Sequence, residues 1–325
     1  MEKLIIITPH MSTGGCPQFV LKRIEILKEF YDIYCIEYSF LSSHYVIQRN
    51  KVIEMIGDKF IPIFEDKEKL IELLTNLKPD IIHIEEFSES FMHTEVCNFI
   101  FKSDRSYKII ETTHGSYDNS DTKVNLPDKF IFVSEWSKRM YSHFGVDSVV
   151  IEYPIDKKEI DIEAKTRLGF DDGYSHVINI GLFTPGKNQA YIFEIAKLLL
   201  NEKIKFHFIG NQADNFRSYW DPLISNKPEN CIIWGERPDV EDFIMASDML
   251  LFTSTLELNP LVIKEVLCYD IPILMFDIKT YCGTYNNQEN ITFLSGDIKI
   301  DIEKIKKILT KDGHIFNNKE LYRCL

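Results

Sequence analysis

The sequence has few of the features that mark secreted or membrane-spanning chains. Its seven cysteines are scattered and form no C-x-x-C pair, so we expect neither a disulfide framework nor a zinc site. No apolar run approaches the ~18 residues of a membrane span. The short N-terminal run Leu4–Ile7 is followed by Pro9 and shows no signal-peptide pattern. We therefore expect a cytoplasmic protein with reduced thiols and no membrane span.

Basic charge is also scarce, with 37 Lys and Arg against 50 Asp and Glu and a net charge of −13. This balance argues against a nucleic-acid partner and leaves room only for a local basic pocket. The 14 Gly and 12 Pro are too few for a collagen-like or linker-rich chain. What the chain has instead is 45% hydrophobic residues over 325 positions, enough for two domains of about 150 residues each.

Three motifs that hold phosphates or metals are missing. There is no Gly-x-x-x-x-Gly-Lys-Ser/Thr loop, which disfavours an ATPase. Gly14-Gly15 lacks the third glycine of a dinucleotide fingerprint, which argues against an oxidoreductase. No Asp-x-Asp pair follows a predicted strand, so we expect no metal and no resident cofactor.

Short apolar runs alternate with segments of helical period along the whole chain. The first strand is predicted over Lys3–Thr8, which is apolar on both faces, and one helix is predicted over Ser88–Lys102. The polar segment Tyr153–Gly173 shows no strand pattern, and the alternation restarts after it. Buried strands joined by crossover helices form parallel sheets, so we expect an α/β fold of two doubly wound domains, divided at the start of this segment.

The most informative segment follows a strand predicted over Met249–Thr253. Asn259 is suited to cap the next helix and Pro260 to begin it, which leaves free backbone amides at Leu261, Val262 and Ile263. A helix N-terminus after a parallel strand favours a phosphate. Glu257 and Glu265 flank these amides, and because carboxylates repel phosphate we expect them to bind sugar hydroxyls.

Here the sequence resembles a known family. Glu257 and Glu265, with Pro260 between them and Ile271-Pro272-Ile273 after them, are similar to the signature of retaining GT-B glycosyltransferases of glycosyltransferase family 4, also called glycosyl transferases group 1. Six further motifs match the family in order along the chain: Gly14-Gly15, Thr113-His114-Gly115, Val133-Ser134-Glu135, Ile151–Asp156, Gly181–Lys187 and Gly235-Glu236-Arg237. The resemblance implies a GT-B-like fold, two Rossmann-like domains facing a central cleft, with an acceptor-side domain over 1–152 and a nucleotide-sugar domain over 153–325.

The same resemblance implies a role for each motif. Glu265 would hold the ribose of a nucleotide sugar, and Glu257 with the backbone over Leu258–Val262 would hold the transferred sugar and the diphosphate. Lys187 would neutralise the departing diphosphate, and His114 would lie beside the reacting sugar. The further substrate-binding positions that it implies are Gly14, Gly15, Gly186, Gly210, Glu236, Arg237, Leu258, Asn259, Pro260, Leu261 and Val262.

Two departures from the family pattern bear on activity. The family usually has glycine after the first Glu, where this chain has Leu258. It often has an arginine shortly after the first strand of the second domain, where this chain has Leu182-Phe183. The second departure leaves Lys187 as the clear side-chain cation at the expected phosphate position.

Three functions therefore stay open. The first is transfer of a sugar, with retention, from a nucleotide sugar to an acceptor hydroxyl on a saccharide, a lipid-linked glycan or a protein-linked glycan. The second is a GT-B-fold sugar-nucleotide epimerase, and the third is an inactive nucleotide-sugar-binding protein. The segments Phe40–Asn50 and Ser116–Leu126, where acceptor specificity would lie, show no readable motif.

Overall fold

The computed structural model describes residues 1–12, 14–39, 47–115, 123–155, 159–170, 173–212, 214–281 and 283–310. Parts of the two acceptor segments, 40–46 and 116–122, lie outside the described residues, as do Asp156, Cys282 and Cys324. The chain divides into two compact units. The first comprises Met1–Asp156, Leu256–Leu261 and Lys279–Tyr281, and the second comprises Lys157–Thr255, Val262–Ile278 and Cys282–Leu325.

The first unit is built on a seven-stranded sheet. Its strands are β1 (Lys3–Thr8), β2 (Asp32–Glu37), β3 (Phe60–Pro62), β4 (Ile81–Glu85), β5 (Lys108–Thr113), β6 (Lys129–Phe132) and β7 (Ser148–Val150). They are ordered β3-β2-β1-β4-β5-β6-β7, and every pair is parallel. The order reverses between β1 and β4, which is where ligands bind in open sheets of this kind.

Helices cover both faces of this sheet. They are α1 (Gly15–Leu27), α2 (Ile47–Ile56), α3 (Lys67–Leu77), α4 (Ser88–Phe91), α5 (Thr94–Ile100) and α6 (Glu135–Met140). Side chains of α1 and α2 pack on one face, and those of α3 and α5 pack on the other. Two starts are fixed by side-chain caps: Asp66 accepts from the Lys69 amide at 2.9 Å, and Ser134 accepts from the Ser137 amide at 3.2 Å.

The second unit has a six-stranded parallel sheet. Its strands are β8 (Ser175–Ile180), β9 (Ile204–Ile209), β10 (Cys231–Gly235), β11 (Met249–Phe252), β12 (Ile273–Met275) and β13 (Ile291–Phe293). The order is β10-β9-β8-β11-β12-β13, with its reversal between β8 and β11. The helices of this part of the chain are α7 (Ala164–Leu168), α8 (Gln189–Leu198), α9 (Arg217–Ser225), α10 (Val240–Ala246), α11 (Leu261–Leu267) and α12 (Ile298–Thr310).

The predicted fold class of two doubly wound α/β domains is confirmed, but one predicted helix is wrong. The helix predicted over Ser88–Lys102 is broken at Met92 and His93, whose extended backbone separates α4 from α5. The segment Tyr153–Gly173, predicted to lack a strand pattern, contains the helix α7, which ends at Gly169 in the left-handed conformation. The sequence pattern also gave no sign of α2 or α9.

The described part of the chain has no membrane-spanning helix and no disulfide among its cysteines. None of its helices is both long and apolar enough to cross a membrane. Its five described cysteines, Cys16, Cys35, Cys97, Cys231 and Cys268, are all free.

Candidate active site

Within the loop after β11, the stretch Leu256–Leu261 packs in the first unit. Leu258 is buried against Phe19, Val133 and Tyr153, and the side-chain amide of Asn259 donates a hydrogen bond to the Val133 carbonyl. Leu258 thus has a packing role that a glycine would not fill. This bond uses the amide nitrogen of Asn259, whereas the predicted helix cap would use its side-chain oxygen.

The two carboxylates of the signature flank the start of α11. Glu257 is half-buried, and its carbonyl accepts a hydrogen bond from Thr280. Glu265 is half-buried and lies in the second turn of α11, whose buried positions are Val262, Ile263 and Val266. The helix begins at Leu261, so Pro260 precedes it and is not its first residue.

Lys187 lies at the carboxyl ends of β8 and β11. Its Cδ and Cε atoms would be 3.6 and 3.7 Å from a Cβ atom built on Gly181, and its Nζ is 5.9 Å from the ring centroid of Phe252. These two strands meet where the strand order reverses in the second unit. The lysine therefore occupies the position at which an open parallel sheet receives its ligand.

Two threonines that the sequence reasoning missed hold the loop after β8 that carries Gly186, Lys187 and Asn188, called here the Lys187 loop. The Thr253 hydroxyl donates to the carbonyls of Lys187 and Asn188, at 3.0 Å each, and the Thr255 amide donates to the Gly186 carbonyl at 2.8 Å. Thr253 follows β11 directly, so its position after a buried strand was the available signal. These bonds join the loop after β8 to the loop after β11.

Glycine is required where β8 and β9 end. Gly181 and Gly210 have φ of +150° and +141°, and the Gly181 amide donates to Ile209 at 2.9 Å. A Cβ atom on Gly210 would lie 2.1 Å from the Gly181 carbonyl oxygen. Gly210 is thus fixed as glycine by the close approach of the two strand ends.

Glu236 and Arg237 follow β10 and are held by neighbours in the second unit. Asn211 accepts from the Glu236 amide at 2.9 Å and donates to the Glu236 carboxylate at 2.8 Å. The Arg237 guanidinium donates to both oxygens of Asp239, at 2.8 and 2.7 Å, and these hydrogen bonds lower the pKa of Asp239. The charge of Arg237 is therefore matched locally by a bidentate carboxylate.

In the first unit, Gly14 and Gly15 differ in whether a residue other than glycine could replace them. Gly14 precedes α1 with φ of +113°, a conformation that other residues rarely adopt. A Cβ atom on Gly15 would make ordinary contacts, 3.8 Å from both the Tyr153 hydroxyl and the Leu261 side chain. The backbone conformation therefore requires glycine at position 14. Position 15, beside Tyr153, has room for a Cβ atom.

His114 follows β5 and is bonded through both ring nitrogens. Nε2 lies 2.9 Å from Glu85 Oε2, and Nδ1 lies 2.7 Å from the Tyr153 hydroxyl. Arg23 donates to the other oxygen of Glu85, and the side chain of Glu85 is fully buried. Glu85, Tyr153 and Arg23 come from β4, the segment after β7 and α1, so sequence spacing gave no sign that they would meet.

Charges in this cluster shift the pKa values of its members. Burial and the charge of Arg23 lower the pKa of His83, in β4, to about 3. Burial alone would raise the pKa of Glu85, but Arg23, His83 and His114 outweigh it and lower it to about 2. Burial alone would lower the pKa of His114, but Cys16, Tyr153 and Glu85 outweigh it and raise it well above its ordinary value. Near neutral pH, Glu85 is therefore a carboxylate between two basic partners.

The structure brings the predicted residues together in two groups, one in each unit. In the first unit, Tyr153 contacts His114 and Leu258 and lies beside the position of Gly15. In the second unit, Gly181 lies beside the side chain of Lys187 and beside Gly210, at the ends of β8 and β9. Among the residues that the structure describes, no group of three or more His, Cys, Asp or Glu side chains could hold a metal ion.

Comparisons with known proteins agree with this architecture. Residues 161–320 match the family model described as Glycosyl transferases group 1. No curated protein matches the chain.

Solved structures extend the likeness over both units. HepE of Anabaena, in complex with UDP and glucose, is 13% identical with a TM-score of 0.76, covering 95% of this chain and 90% of that one. Sucrose-phosphate synthase of Thermosynechococcus elongatus is 13% identical with a TM-score of 0.73, covering 95% and 90%. A glycosyltransferase of Rickettsia africae is 15% identical with a TM-score of 0.70, covering 94% and 88%. At such identities the likeness shows the fold, which is GT-B-like with two Rossmann-like domains.

Proposed function

We propose that this protein is a retaining glycosyltransferase of family 4, active without a metal, which moves a sugar from a nucleotide diphosphate sugar to an acceptor hydroxyl in glycan or glycoconjugate synthesis. The observation that carries the proposal is the match of residues 161–320 to Glycosyl transferases group 1. The complexes of HepE with UDP and glucose and with UDP-glucose support a nucleotide sugar as the donor class.

The donor would be held largely by strand ends of the second unit. Glu265 would accept hydrogen bonds from ribose hydroxyls, and Glu236 and Arg237 would border the base, through main-chain groups because their side chains are engaged by Asn211 and Asp239. Gly186 and Gly210 would leave backbone open to the ligand. Lys187 would meet the diphosphate, and its position where the strand order reverses supports this assignment.

The transferred sugar would be held by Glu257 and the main chain of Leu258–Val262, beside His114. In the first unit, Gly14 and Gly15 would let backbone approach the phosphate or the acceptor. The fixed conformation of this region supports these roles, since Leu258 is anchored on Phe19 and Val133.

The chemical step breaks the bond between the anomeric carbon and the diphosphate oxygen and forms one between the anomeric carbon and the acceptor oxygen, whose proton passes to the departing diphosphate. The diphosphate leaves with the electron pair, so negative charge develops on it as the bond breaks. Preorganised donors and cations lower the barrier where such charge develops, which is the part we assign to Lys187 and the nearby amides. Exclusion of water from the donor would suppress its hydrolysis.

Turnover of a panel of nucleotide sugars, with and without hydroxyl acceptors, tests the proposal. Donors would first be selected by their effect on the melting temperature. A transferase forms a new glycoside only when an acceptor is present. An epimerase converts the donor without an acceptor, and an inactive binding protein is stabilised by a donor that it does not consume. Either of the last two results would overturn the proposal.

A further inference from the structure

The imidazole of His114 is held more completely than a group that exchanges protons with substrate requires. Its side chain is only 4% exposed, and each nitrogen has a protein partner at a short distance, Glu85 at 2.9 Å and Tyr153 at 2.7 Å. A general base needs a nitrogen lone pair within reach of the proton that it removes. Both nitrogens of this ring are already committed inside the first unit.

The partners of His114 are themselves fixed. The second oxygen of Glu85 accepts from Arg23, whose guanidinium also lies 4.5 Å from the ring centroid of Phe19. Tyr153 is buried, and its ring packs edge-on against Phe19 at 4.6 Å and in a stacked arrangement with His114 at 5.9 Å. Phe19 also meets the His114 ring edge-on at 5.4 Å. The imidazole is therefore constrained by hydrogen bonds at its edge and by rings on its sides.

We infer that Glu85 and Tyr153 are positioning residues that hold the imidazole of His114 by both nitrogens, so that His114 takes part in the reaction as a fixed ring and not as a general base. This rests on the proposed function, because it assumes that His114 lies beside the reacting sugar. Cys16, Tyr153 and Glu85 together raise the pKa of His114 well above its ordinary value, which agrees with the inference, since an imidazolium donates from both nitrogens and has no lone pair to accept a proton.

Two variants test the two bonds separately. Tyr153→Phe removes only the hydroxyl at Nδ1 and keeps the packing ring, so it should fold even if Glu85→Gln, which leaves the buried Arg23 without its carboxylate, does not. The matched control is Tyr38→Phe, which removes an equivalent buried bond, from the Tyr38 hydroxyl to Nδ1 of His93 at 2.6 Å. The control should lose a comparable hydrogen bond without touching His114.

The first readout is nitrogen-15 NMR of labelled histidine, assigned by comparison with His114→Gln. In the wild type, the two His114 nitrogens should keep constant shifts from about pH 6 to 8, whereas an unrestrained histidine titrates in that range. In Tyr153→Phe, or in Glu85→Gln where it folds, the His114 signals should move, and in Tyr38→Phe they should not. A wild-type His114 that titrates in this range overturns the inference, whatever the activity.

The second readout is the kinetics of transfer. Loss of orientation should lower kcat by up to about 10²-fold in the two test variants, with donor KM changed less than about twofold and Tyr38→Phe unaffected. Wild-type kcat in folded Tyr153→Phe overturns the inference, as does a wild-type kcat that follows the ionisation of His114 measured by NMR. If no donor is consumed at all while the NMR result holds, the proposed function fails and the fixation of the ring is supported.

Discussion

Lys187 is the residue on which the proposed chemistry depends most. Its stem lies along Gly181 at the end of β8, where the strand order reverses, whereas Arg237 follows β10 at the edge of the sheet. An open parallel sheet receives its ligand where the strand order reverses, and Lys187 occupies that position whereas Arg237 does not. The side-chain share of charge stabilisation should therefore fall mainly on Lys187.

Lys187→Ala should lower the single-turnover rate at saturating donor by about 10²-fold, by analogy with the loss of one preorganised donor at a developing anion. Lys187→Arg should recover only part of the rate, because its planar fork places charge differently. The matched control is Lys197→Ala, a lysine of α8 whose Nζ is 2.7 Å from Glu194. A loss of less than about tenfold in Lys187→Ala would reject the assignment.

Glu265→Ala should weaken donor binding more than it weakens folding. Glu265 is half-buried in the second turn of α11, where we expect it to accept from ribose hydroxyls. Removal of a charged hydrogen-bond acceptor should cost about 1.5–3 kcal/mol of binding free energy, measured by calorimetry with the nucleotide sugar. Glu303→Ala, an exposed carboxylate of α12, is the control. Unchanged affinity in a folded Glu265→Ala protein would exclude this role.

The sequence alone identified candidate site residues better than it identified the residues to which they are hydrogen-bonded. The spacing of Glu257 and Glu265 was visible because both lie within one strand-to-helix connection. The bond between Glu85 and His114 joins residues 29 positions apart, and the bonds from Thr253 to the Lys187 loop span 65 and 66 positions. Such pairs depend on the order of strands in the sheet, which local pattern does not give.

At the scale of secondary-structure elements, the close approach of the ends of β8 and β9 requires glycine. Gly210 combines a φ of +141° with a carbonyl oxygen 2.1 Å from its missing Cβ, whereas Gly15 has ordinary contacts at 3.8 Å. The two positions therefore give a matched pair for substitution by alanine.

Gly210→Ala should lower the free energy of unfolding by about 3 kcal/mol, because backbone strain and overlap with Gly181 both oppose the folded state. Gly15→Ala should change it by less than about 1 kcal/mol, since alanine is well tolerated in a helix. Chemical denaturation of the full chain measures both. Equal stability of the two variants would show that β8 and β9 separate without cost, contrary to this close approach.

The buried His83 of β4 makes the stability of the fold depend on pH. Because the pKa of His83 is lowered to about 3, the unfolded chain binds its proton more readily than the folded chain below about pH 6.5. The contribution of neutral His83 to the free energy of unfolding is therefore fully present above about pH 6.5. It falls by up to about 1.4 kcal/mol per pH unit as the pH drops toward 3.

His83→Gln should therefore flatten the dependence of unfolding free energy on pH between about 6.5 and 3. The exposed His143→Gln variant serves as the control and should keep the wild-type slope. Equal slopes in wild type and His83→Gln, from denaturation curves at several pH values, would contradict the burial of a neutral His83.

Elements were predictable where burial dominates. β1 is buried on both faces, and its sequence shows this directly. In contrast, α2 buries only Arg49 and Val52, and the described residues of α9 are all at least partly exposed, so neither has a clear apolar stripe. The break between α4 and α5 involves no glycine or proline, the residues by which sequence reasoning recognises a helix end.

At the scale of the whole molecule, the repeated strand–helix alternation was enough to predict two doubly wound domains. It did not predict that Leu256–Leu261 and Lys279–Tyr281 would pack with the first unit while the chain around them belongs to the second. The reason is physical: Leu258 finds its apolar partners in Phe19, Val133 and Tyr153, far away in sequence. The packing of Leu258 holds the segment Leu256–Leu261 in place, and a preorganised segment is compatible with its proposed role in holding the transferred sugar.

The most direct measurement is anomeric-proton NMR of the reaction between a nucleotide sugar that stabilises the protein and a hydroxyl acceptor, run in excess EDTA. We expect a new anomeric signal that appears with the acceptor and has the configuration of the donor, because transfer is proposed to be retaining and independent of a metal. Wild-type protein that gives no new glycoside, an inverted one, or one that forms only after magnesium or manganese is added would contradict this account.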